Sequence, residues 1–106
     1  MAEYVEQPGQ GAGVKQRPGE KVEQPRKYKV LLHNDHYTSM DFVVEMLEIV
    51  FHKTGKEAVH IMLKVHQNGT GLAGVYIKAV AEAKVKEVHE RARERGFPLM
   101  CSMERE

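Results

Sequence analysis

Polar and titratable side chains follow directly on an apolar run near the start of the chain. The segment "KYKVLL" ends at Leu32, and "HNDHY", residues 33–37, comes next. Turns often carry Asn and Asp, but a turn does not need a histidine on either side of them. Asn34 offers a carbonyl oxygen and Asp35 a carboxylate, and both accept hydrogen bonds. The segment therefore predicts a turn that also takes part in binding.

His66 lies in a second stretch of interest, the predicted helix "KEAVHIMLKVHQ". The helical period assigns this histidine to the apolar face of the helix. The other members of that face are Ala58, Ile61, Met62 and Val65. A single histidine on such a face is more often a core residue whose hydrogen bonds are satisfied than a functional residue. The "HNDH" stretch favours the functional interpretation, because a strand end and a helix's inner face can meet at the rim of a core.

Such a meeting predicts a small-ligand site, an apolar pocket with a few polar groups at its mouth. The polar groups would be Asn34, Asp35, His36 and His66. The apolar residues expected beneath them are Leu32, Met40, Val43, Met62 and Val65. Acceptors that converge on one point suit an ammonium group, and methionines suit a flexible or aromatic side chain. An ammonium beside a bulky apolar group describes the first residue of a peptide.

Three other kinds of site have to be weighed against this one. His33 and His36, with Asp35, could ligate a metal, but neighbours on a strand point to opposite faces and the helical H-E-x-x-H pattern is absent. Cys101 could be a nucleophile, but in an apolar strand it is more often a small core residue. A helix-turn-helix joined through "HKTG" would bind DNA, but its helices carry at least as many acidic as basic residues.

The composition fits one small domain and excludes several classes of protein. The chain has 106 residues, of which 42% are hydrophobic, enough for one modest core. Its 16 Lys and Arg against 15 Asp and Glu give no basic field of the kind that holds nucleic-acid phosphates. The single Cys101 excludes an internal disulfide, and no apolar run approaches the ~18 residues of a membrane span. Because a signal-peptide pattern is also missing, we expect a cytoplasmic protein.

Residues 1–25 differ from the remainder of the chain in composition. They consist of Gly, Pro, Gln and charged residues with few apolar ones, which predicts a disordered N-terminal extension. From Arg26 on, the hydrophobic periodicity predicts the order β-α-α-β-α-β within one domain, residues 26–106. We expect an α+β fold, with a small three-stranded antiparallel sheet packed with three helices.

The first helix has a predicted start and a predicted end. Thr38, with Asp41 three residues later, resembles a capping box and predicts that the helix begins there. The helical segment "MDFVVEMLEIVFHK" would run to Lys53 and stop at Gly55.

The next two elements carry their own boundary signals. Thr54 and Glu57 form a standard capping box for the second helix, and Gly69 is a natural residue to end it. Gly74, inside the strand "GLAGVYI", predicts a bulge or a close approach of another group.

Four segments resemble the ClpS adaptor family, and the similarity covers residues 26–106. They are "KVLLHNDHYTSMDFVVEML", "IMLKVHQNGTG", "GVYIKAVAEAKVKEVHERAR" and "PLMCSMERE". The Asn-Asp turn, the Thr-x-Met after it and the V-H-x-x-G helix end are specific motifs in the expected order. The resemblance implies a bacterial or plastid adaptor without enzymatic activity or a cofactor. It would recognise proteins whose first residue is Phe, Tyr, Trp or Leu, and deliver them to a ClpA-type AAA+ unfoldase for degradation by ClpAP.

The resemblance also implies roles for single residues. The substrate's α-amino group would be held by Asn34, Asp35 and His66, with His36 beside them. The side chain of its first residue would enter a pocket made by Leu32, Thr38, Met40, Val43, Met62, Val65 and Leu99. Glu82 and Lys84 would dock on the N-terminal domain of the unfoldase. The tail, residues 1–25, would be the segment that the unfoldase engages to drive transfer.

The chain departs from the family pattern at three positions. His36 stands where the family commonly has Asp, which removes a negative charge near the ligand's ammonium. Ile77 replaces the usual Thr before the third helix, and the loss of this helix cap costs ~1 kcal/mol of stability. Ala79 replaces a Glu and so removes a charge near the presumed docking face. These departures favour a specialised copy of the adaptor with narrower or weaker substrate choice.

Two hypotheses from other classes stay open at this point. One is a structural or assembly domain, since the C-terminal domain of the ribosomal stalk protein is said to share this fold, and a fold does not fix a function. The other is a metal-dependent enzyme. A peptide that begins with Phe separates them, because only the adaptor should bind it and should need its free amine.

Overall fold

The secondary structure follows the order predicted from the sequence. A computed structural model describes residues 25–106, so the predicted disordered extension, residues 1–25, lies outside the described residues except for Pro25. The elements are β1 Lys27–His33, α1 Met40–Ile49, α2 Gly55–Asn68, β2 Thr70–Ile77, α3 Lys78–Arg95 and β3 Met100–Arg105. The predicted α+β fold, a three-stranded antiparallel sheet with three helices, is confirmed.

The first strand lies at the centre of the sheet. The strand order is β2-β1-β3, and β1 pairs antiparallel with both neighbours. The register between β1 and β2 shifts between Val30 and Leu31, next to Gly74, which confirms the predicted irregularity. Gly74 is also a place of close approach, because a Cβ added there would lie 2.7 Å from ring carbons of Tyr76. The extra residue, Ala73, lies on the edge strand β2, so the irregularity is in β2 and the central strand β1 runs on to the turn.

The core lies between the sheet and the helices. Val30 and Leu32 of β1 are fully buried, as β1's central position requires. Small residues on α3 allow it to pack closely, and its buried side chains are Ala81, Val88 and Ala92. Cys101 is 3% exposed, and burial raises the pKa of its thiol to about 12, so the prediction of a core cysteine is confirmed. No helix within residues 25–106 is both long enough and apolar enough to cross a membrane.

The second helix has the ends that its sequence predicts. The Thr54 hydroxyl accepts a hydrogen bond from the Glu57 N–H at 3.2 Å, and the Glu57 carboxylate accepts one from the Thr54 N–H at 3.0 Å. Gly69 ends the helix in the left-handed region, with φ of 88°. These two fixed ends give α2 a defined position along β2, which follows it immediately.

The first helix differs from its prediction at both ends. Its N-cap is Ser39, whose hydroxyl accepts a hydrogen bond from the Phe42 N–H at 3.1 Å, and Thr38 has another partner, described below. The helix ends at Ile49 instead of continuing to Lys53. His52 takes a positive φ of 55°, a conformation that ends helices and that glycine usually adopts.

Candidate functional site

A cavity of about 300 Å³ opens between the turn after β1, the start of α1 and the second half of α2. Its lining consists of residues that the sequence analysis predicts for the binding site. They are Asn34, Asp35, His36, Thr38, Met40, Val43, Met62, Val65 and His66. The structure thus brings the predicted amine-binding group and most of the predicted apolar pocket to one place.

Helical spacing explains how α2 contributes its part of the lining. Met62, Val65 and His66 stand at i, i+3 and i+4, so they share one face of the helix. Val65 is 2% exposed and forms the floor, whereas His66 is exposed at the mouth. His66, at the polar end of the cavity, therefore lies on the same helix face that packs α2 onto the core.

The Asp35 carboxylate organises the turn that borders the cavity. One of its oxygens, Oδ1, accepts hydrogen bonds from the backbone N–H groups of Tyr37 at 2.8 Å and Thr38 at 2.7 Å. The other, Oδ2, accepts a hydrogen bond from the Thr38 hydroxyl at 2.8 Å. A carboxylate has about four lone-pair positions, so one on Oδ2 stays open toward a further donor. Asp35 thus holds together the turn that the sequence predicts, in addition to its predicted role as an acceptor.

The pKa of the Asp35 carboxyl is held below its ordinary value of 3.8. Partial burial acts to raise this pKa, but the hydrogen bonds from Thr38 and Tyr37, together with the charge of His36, outweigh it. Hydrogen bonds to the charged form favour that form. Asp35 is therefore a carboxylate at neutral pH, with negative charge at the mouth of the cavity.

A backbone hydrogen bond joins the turn to the end of α2. The N–H of Asn34 donates to the carbonyl oxygen of Gly69 at 2.8 Å, three residues after His66. Within residues 25–106, neither the Asn34 side-chain amide nor the His66 imidazole has a hydrogen-bond partner, and both side chains are exposed. Two side chains that can accept hydrogen bonds therefore stand beside the Asp35 carboxylate.

The walls of the cavity differ from its floor in exposure. Val43 is 6% exposed and Val65 is 2% exposed, so the floor is a fixed part of the core. Met40, the first residue of α1, is 46% exposed, and Met62 is half-buried on α2. Unbranched methionine side chains on two walls can adapt to the shape of an apolar ligand.

Two residues predicted for the pocket lie behind it. Leu32 is 0% exposed and Leu99 is 4% exposed, and neither is among the residues that border the cavity. Both belong to the hydrophobic core. For Leu32, an apolar residue type alone does not distinguish the wall of a pocket from the layer that supports the wall. Leu99 is assigned to the pocket by the family resemblance alone.

Gly71 supports the cavity floor, a role that the sequence analysis missed. A Cβ added at Gly71 would lie 2.6 Å from a methyl carbon of Val65 and 3.2 Å from the carbonyl oxygen of Ile61. Only glycine lets β2 approach the backbone of α2 so closely. The run "NGTG" contains both glycines, but the end of a helix explains only Gly69 and leaves Gly71 without a predicted role.

The residues considered for a metal site or a nucleophile lie elsewhere. His33 forms a hydrogen bond with the Ser102 hydroxyl at 2.6 Å, across the pairing of β1 with β3. In the part of the chain that the structure describes, no group of three His, Cys, Asp or Glu side chains is close enough to hold a metal ion. Cys101 donates its backbone N–H to the His89 imidazole at 2.9 Å, and its thiol is buried.

The predicted docking residues lie on α3, away from the cavity lining. Glu82 is exposed, whereas Lys84 is half-buried and donates to the carbonyl oxygen of Val50 at 2.6 Å. The Lys84 ammonium also lies 5.3 Å from the centre of the Tyr76 ring. Ile77 precedes α3 without a side-chain cap, which confirms that the capping bond is lost at this position.

Comparison with known proteins gives one consistent result. Residues 23–102 match the family described as "ATP-dependent Clp protease adaptor protein ClpS". The chain is 57% identical over 89 residues to the ATP-dependent Clp protease adapter protein ClpS of Desulfatibacillum aliphaticivorans, a match that covers 84% of this chain and 86% of the relative. It is 58% identical over 85 residues to the protein of the same name from Oleidesulfovibrio alaskensis, covering 80% of this chain and 82% of the relative.

A solved structure agrees with these relatives. The structure of Agrobacterium tumefaciens ClpS2 bound to L-phenylalaninamide matches this fold with a TM-score of 0.76 and 37% sequence identity, covering 78% of this chain and 100% of that chain. The match with the family covers most of the described residues and includes the turn, the start of α1 and the end of α2. The chain belongs to the ClpS family of adaptors of the ATP-dependent Clp protease.

Proposed function

We propose that the cavity binds the first residue of substrate proteins, by its free α-amino group and its bulky hydrophobic side chain. The preferred first residues are Phe, Tyr, Trp and Leu. The bound protein is then delivered, in the bacterial cytoplasm, to a ClpA-type AAA+ unfoldase for degradation by ClpAP. In this function the chain is a non-enzymatic adaptor.

One observation carries the proposal: hydrogen-bond acceptors stand at the mouth of a cavity whose floor and walls are apolar. The ammonium of the first residue donates to the open lone pair of Asp35, to the Asn34 carbonyl oxygen and to the His66 imidazole. Three donors on one nitrogen match three acceptors. The negative charge of Asp35 adds electrostatic attraction that a neutral amide nitrogen would not receive.

The size of the cavity suits one side chain. A volume of about 300 Å³ lies at the lower end of the ~300–1,000 Å³ range of ligand pockets. Val43 and Val65 form an apolar floor, and the methionines on the walls adapt to aromatic rings and to Leu. The related ClpS2 protein was solved with L-phenylalaninamide, a phenylalanine with a free amine, which supports this assignment of ligand class.

A pair of peptides tests the binding step. A fluorescent peptide that begins with Phe should bind, and the same peptide with an acetylated amine should bind at least tenfold more weakly, since charge-assisted hydrogen bonds contribute ~1.5–3 kcal/mol. A third peptide that begins with Ala keeps the amine but not the bulky side chain and should also bind weakly. Fluorescence anisotropy measures all three. Equal affinity of the free and acetylated Phe peptides would contradict the proposed site.

Delivery to the unfoldase requires a separate test. A Phe-tagged substrate should be degraded by ClpAP faster when the chain is present. Deletion of residues 1–20 should leave peptide binding unchanged and lower the rate of degradation, because we propose that the unfoldase engages this segment. Full degradation by the shortened chain would contradict that role.

The docking surface can be tested with charge reversals on one helix. Glu82 is exposed on α3, so Glu82→Lys should weaken binding to the unfoldase's N-terminal domain without lowering the melting temperature. Glu90→Lys, at another exposed position of the same helix, is the matched control. Lys84 is a poorer choice for this test, because its ammonium also satisfies the Val50 carbonyl oxygen and its loss would affect stability.

A further inference from the structure

Two of the residues that border the cavity are methionines that a soluble oxidant can reach. Met40 is 46% exposed, and Met62 is half-buried on the neighbouring helix α2. Met46 lies on the same helix as Met40 and is only 1% exposed. Access to the sulfur governs the oxidation of methionine to its sulfoxide. The two methionines that border the cavity are therefore more accessible to an oxidant than Met46 in the core.

We propose that Met40 and Met62 form an oxidation site for two-electron oxidants of the peroxide class, and that their sulfoxides close the cavity to hydrophobic first residues. In the reaction, a sulfur lone pair attacks one peroxide oxygen, an S–O bond forms and the O–O bond breaks. The leaving hydroxide takes the proton of the transferred oxygen and departs as water. The sulfur is oxidised by two electrons and the peroxide is reduced by two. The effect on binding rests on the proposed function, but the modification itself does not.

The surroundings of the sulfurs explain why oxidation would weaken binding. A sulfoxide oxygen is polar and needs a hydrogen-bond donor. The valines of the floor have none, and the Thr38 hydroxyl already donates to Asp35 at 2.8 Å. The N–H groups of Asn34, His36 and His66 belong to exposed residues at the mouth, where they face water and the amine of a bound peptide. An aromatic side chain that enters the cavity would cover the sulfoxide oxygen and separate it from water. Leaving a buried acceptor unpaired should lower the affinity for a Phe peptide at least about tenfold.

The modification is reversible, because methionine sulfoxide reductases restore the thioether with electrons from thiols. Oxidation at this site would therefore act as a switch on substrate recognition. It requires no change of fold, since Met40 is exposed and lies outside the buried core.

The test uses the full chain and hydrogen peroxide. Peptide mass spectrometry locates the added oxygen atoms, and fluorescence anisotropy with a free Phe peptide measures affinity before treatment, after it, and after a methionine sulfoxide reductase. We expect Met40 and Met62 to be oxidised before Met46. The affinity should fall with the fraction oxidised at the cavity and should return after the reductase treatment.

Two variants separate the cavity from the rest of the surface. The double variant Met40→Leu with Met62→Leu keeps the side-chain volume nearly constant. Whatever its starting affinity, peroxide should leave that affinity unchanged. Met100 is 58% exposed and does not border the cavity, so Met100→Leu should bind the peptide as the parent does and stay sensitive to peroxide.

Three results would overturn the proposal. The first is an unchanged affinity for the Phe peptide after both cavity methionines are oxidised. The second is a loss of affinity after peroxide treatment of the double variant. The third is that Met40 and Met62 stay reduced when Met100 is oxidised. If the double variant binds too weakly to measure, reversal by the reductase in the parent chain decides the question. Failure of the untreated parent to bind the Phe peptide would instead contradict the proposed function, and the order of oxidation would still test the modification.

Discussion

The backbone N–H of Asn34 lies 2.8 Å from the carbonyl oxygen of Gly69 and donates a hydrogen bond to it. Asn34 follows β1, and Gly69 is the left-handed residue that ends α2. The bond continues the pairing of β1 with β2, in which His33 is opposite Thr70, and it places the turn next to the last turn of α2, where His66 lies. The acceptors at the mouth of the cavity are thus brought together by backbone contacts between segments that are far apart in sequence.

Asp35 both builds the turn and supplies its charge, and two variants separate these roles. Asp35→Ala removes the acceptors for Tyr37 and Thr38, so we expect at least ~1.5 kcal/mol weaker binding of a Phe peptide and a lower melting temperature. Asp35→Asn keeps one oxygen for the two backbone N–H groups and loses the charge. It should keep most of the stability and still bind weakly. If both variants bind like the parent, Asp35 has no part in the site.

The lowered pKa of Asp35 predicts how stability changes in acid. The carboxyl has an ordinary pKa of 3.8 in the unfolded chain and a lower one in the folded chain. The stabilisation from its hydrogen bonds is therefore present above about pH 3.8 and is lost as the pH falls through the folded value. Urea unfolding from pH 5 down to pH 2 should show this loss, and Asp35→Asn should make the slope shallower. An identical slope in the variant would show that Asp35 contributes nothing to acid sensitivity.

The order of the elements could be predicted because it follows from local patterns. The capping box of Thr54 and Glu57 and the glycine at the end of α2 are short-range signals, and the structure has them as predicted. The lining residues of α2 follow from helical period alone.

The errors at the two ends of α1 arose where side chains outside the helix take part in the local structure. Thr38 and Ser39 can both cap a helix, and the Asp35 carboxylate, which bonds to the Thr38 hydroxyl, leaves Ser39 as the cap. At the C-terminal end of α1, the Lys84 ammonium from another helix satisfies the carbonyl oxygen of the cap residue Val50. Nothing in the local sequence indicates the contact of Lys84 with Val50, because partners that are 34 residues apart do not form a short motif. Asp35 and Thr38 are only three residues apart, but their bond competes with the capping box that Thr38 and Asp41 suggest.

Met40 should control which first residues enter the cavity. It is the first residue of α1 and borders the mouth, where a side chain branched at Cβ is wide next to the backbone. Met40→Ala should therefore admit peptides that begin with Ile or Val, which we expect the parent to exclude. Anisotropy with Ile and Phe peptides measures the change, and Met100→Ala is the control for loss of an exposed methionine. Ile peptides that bind the variant no better than the parent would make Met40 a packing residue only.

Gly71 should be intolerant of any side chain. Gly71→Ala places a methyl group 2.6 Å from a Val65 methyl carbon and 3.2 Å from the Ile61 carbonyl oxygen, so the strand or the helix must shift. We expect a loss of ~1–3 kcal/mol, the usual cost of overpacking, together with weaker peptide binding as Val65 moves. Gly55→Ala is the matched control, because the nearest atom to its Cβ is a Glu48 carboxylate oxygen at 3.4 Å. Equal melting temperatures for the two variants would contradict the close packing at Gly71.

His36 is exposed at the mouth of the cavity, and its charge acts on the neighbouring carboxylate, since it helps to lower the pKa of Asp35. A positive imidazole at this position repels the ammonium of a bound peptide, and a carboxylate would attract it. At ~6 Å and an effective dielectric between those of protein and water, each of these interactions is on the order of 1 kcal/mol. His36→Asp should therefore tighten the binding of a Phe peptide by about fivefold or more.

Salt distinguishes this electrostatic effect from a change in shape. The gain from His36→Asp should shrink as the salt concentration rises from 0.05 M to 0.5 M, because added ions screen exposed charges. His60→Asp makes the same change of charge at an exposed position of α2 that does not border the cavity, and it should alter affinity far less. A gain that is independent of salt would point to a new contact rather than to charge. The same affinity in both variants at every salt concentration would mean that the side chain of His36 points away from the bound amine, and that the acceptors of the site are Asn34, Asp35 and His66 alone.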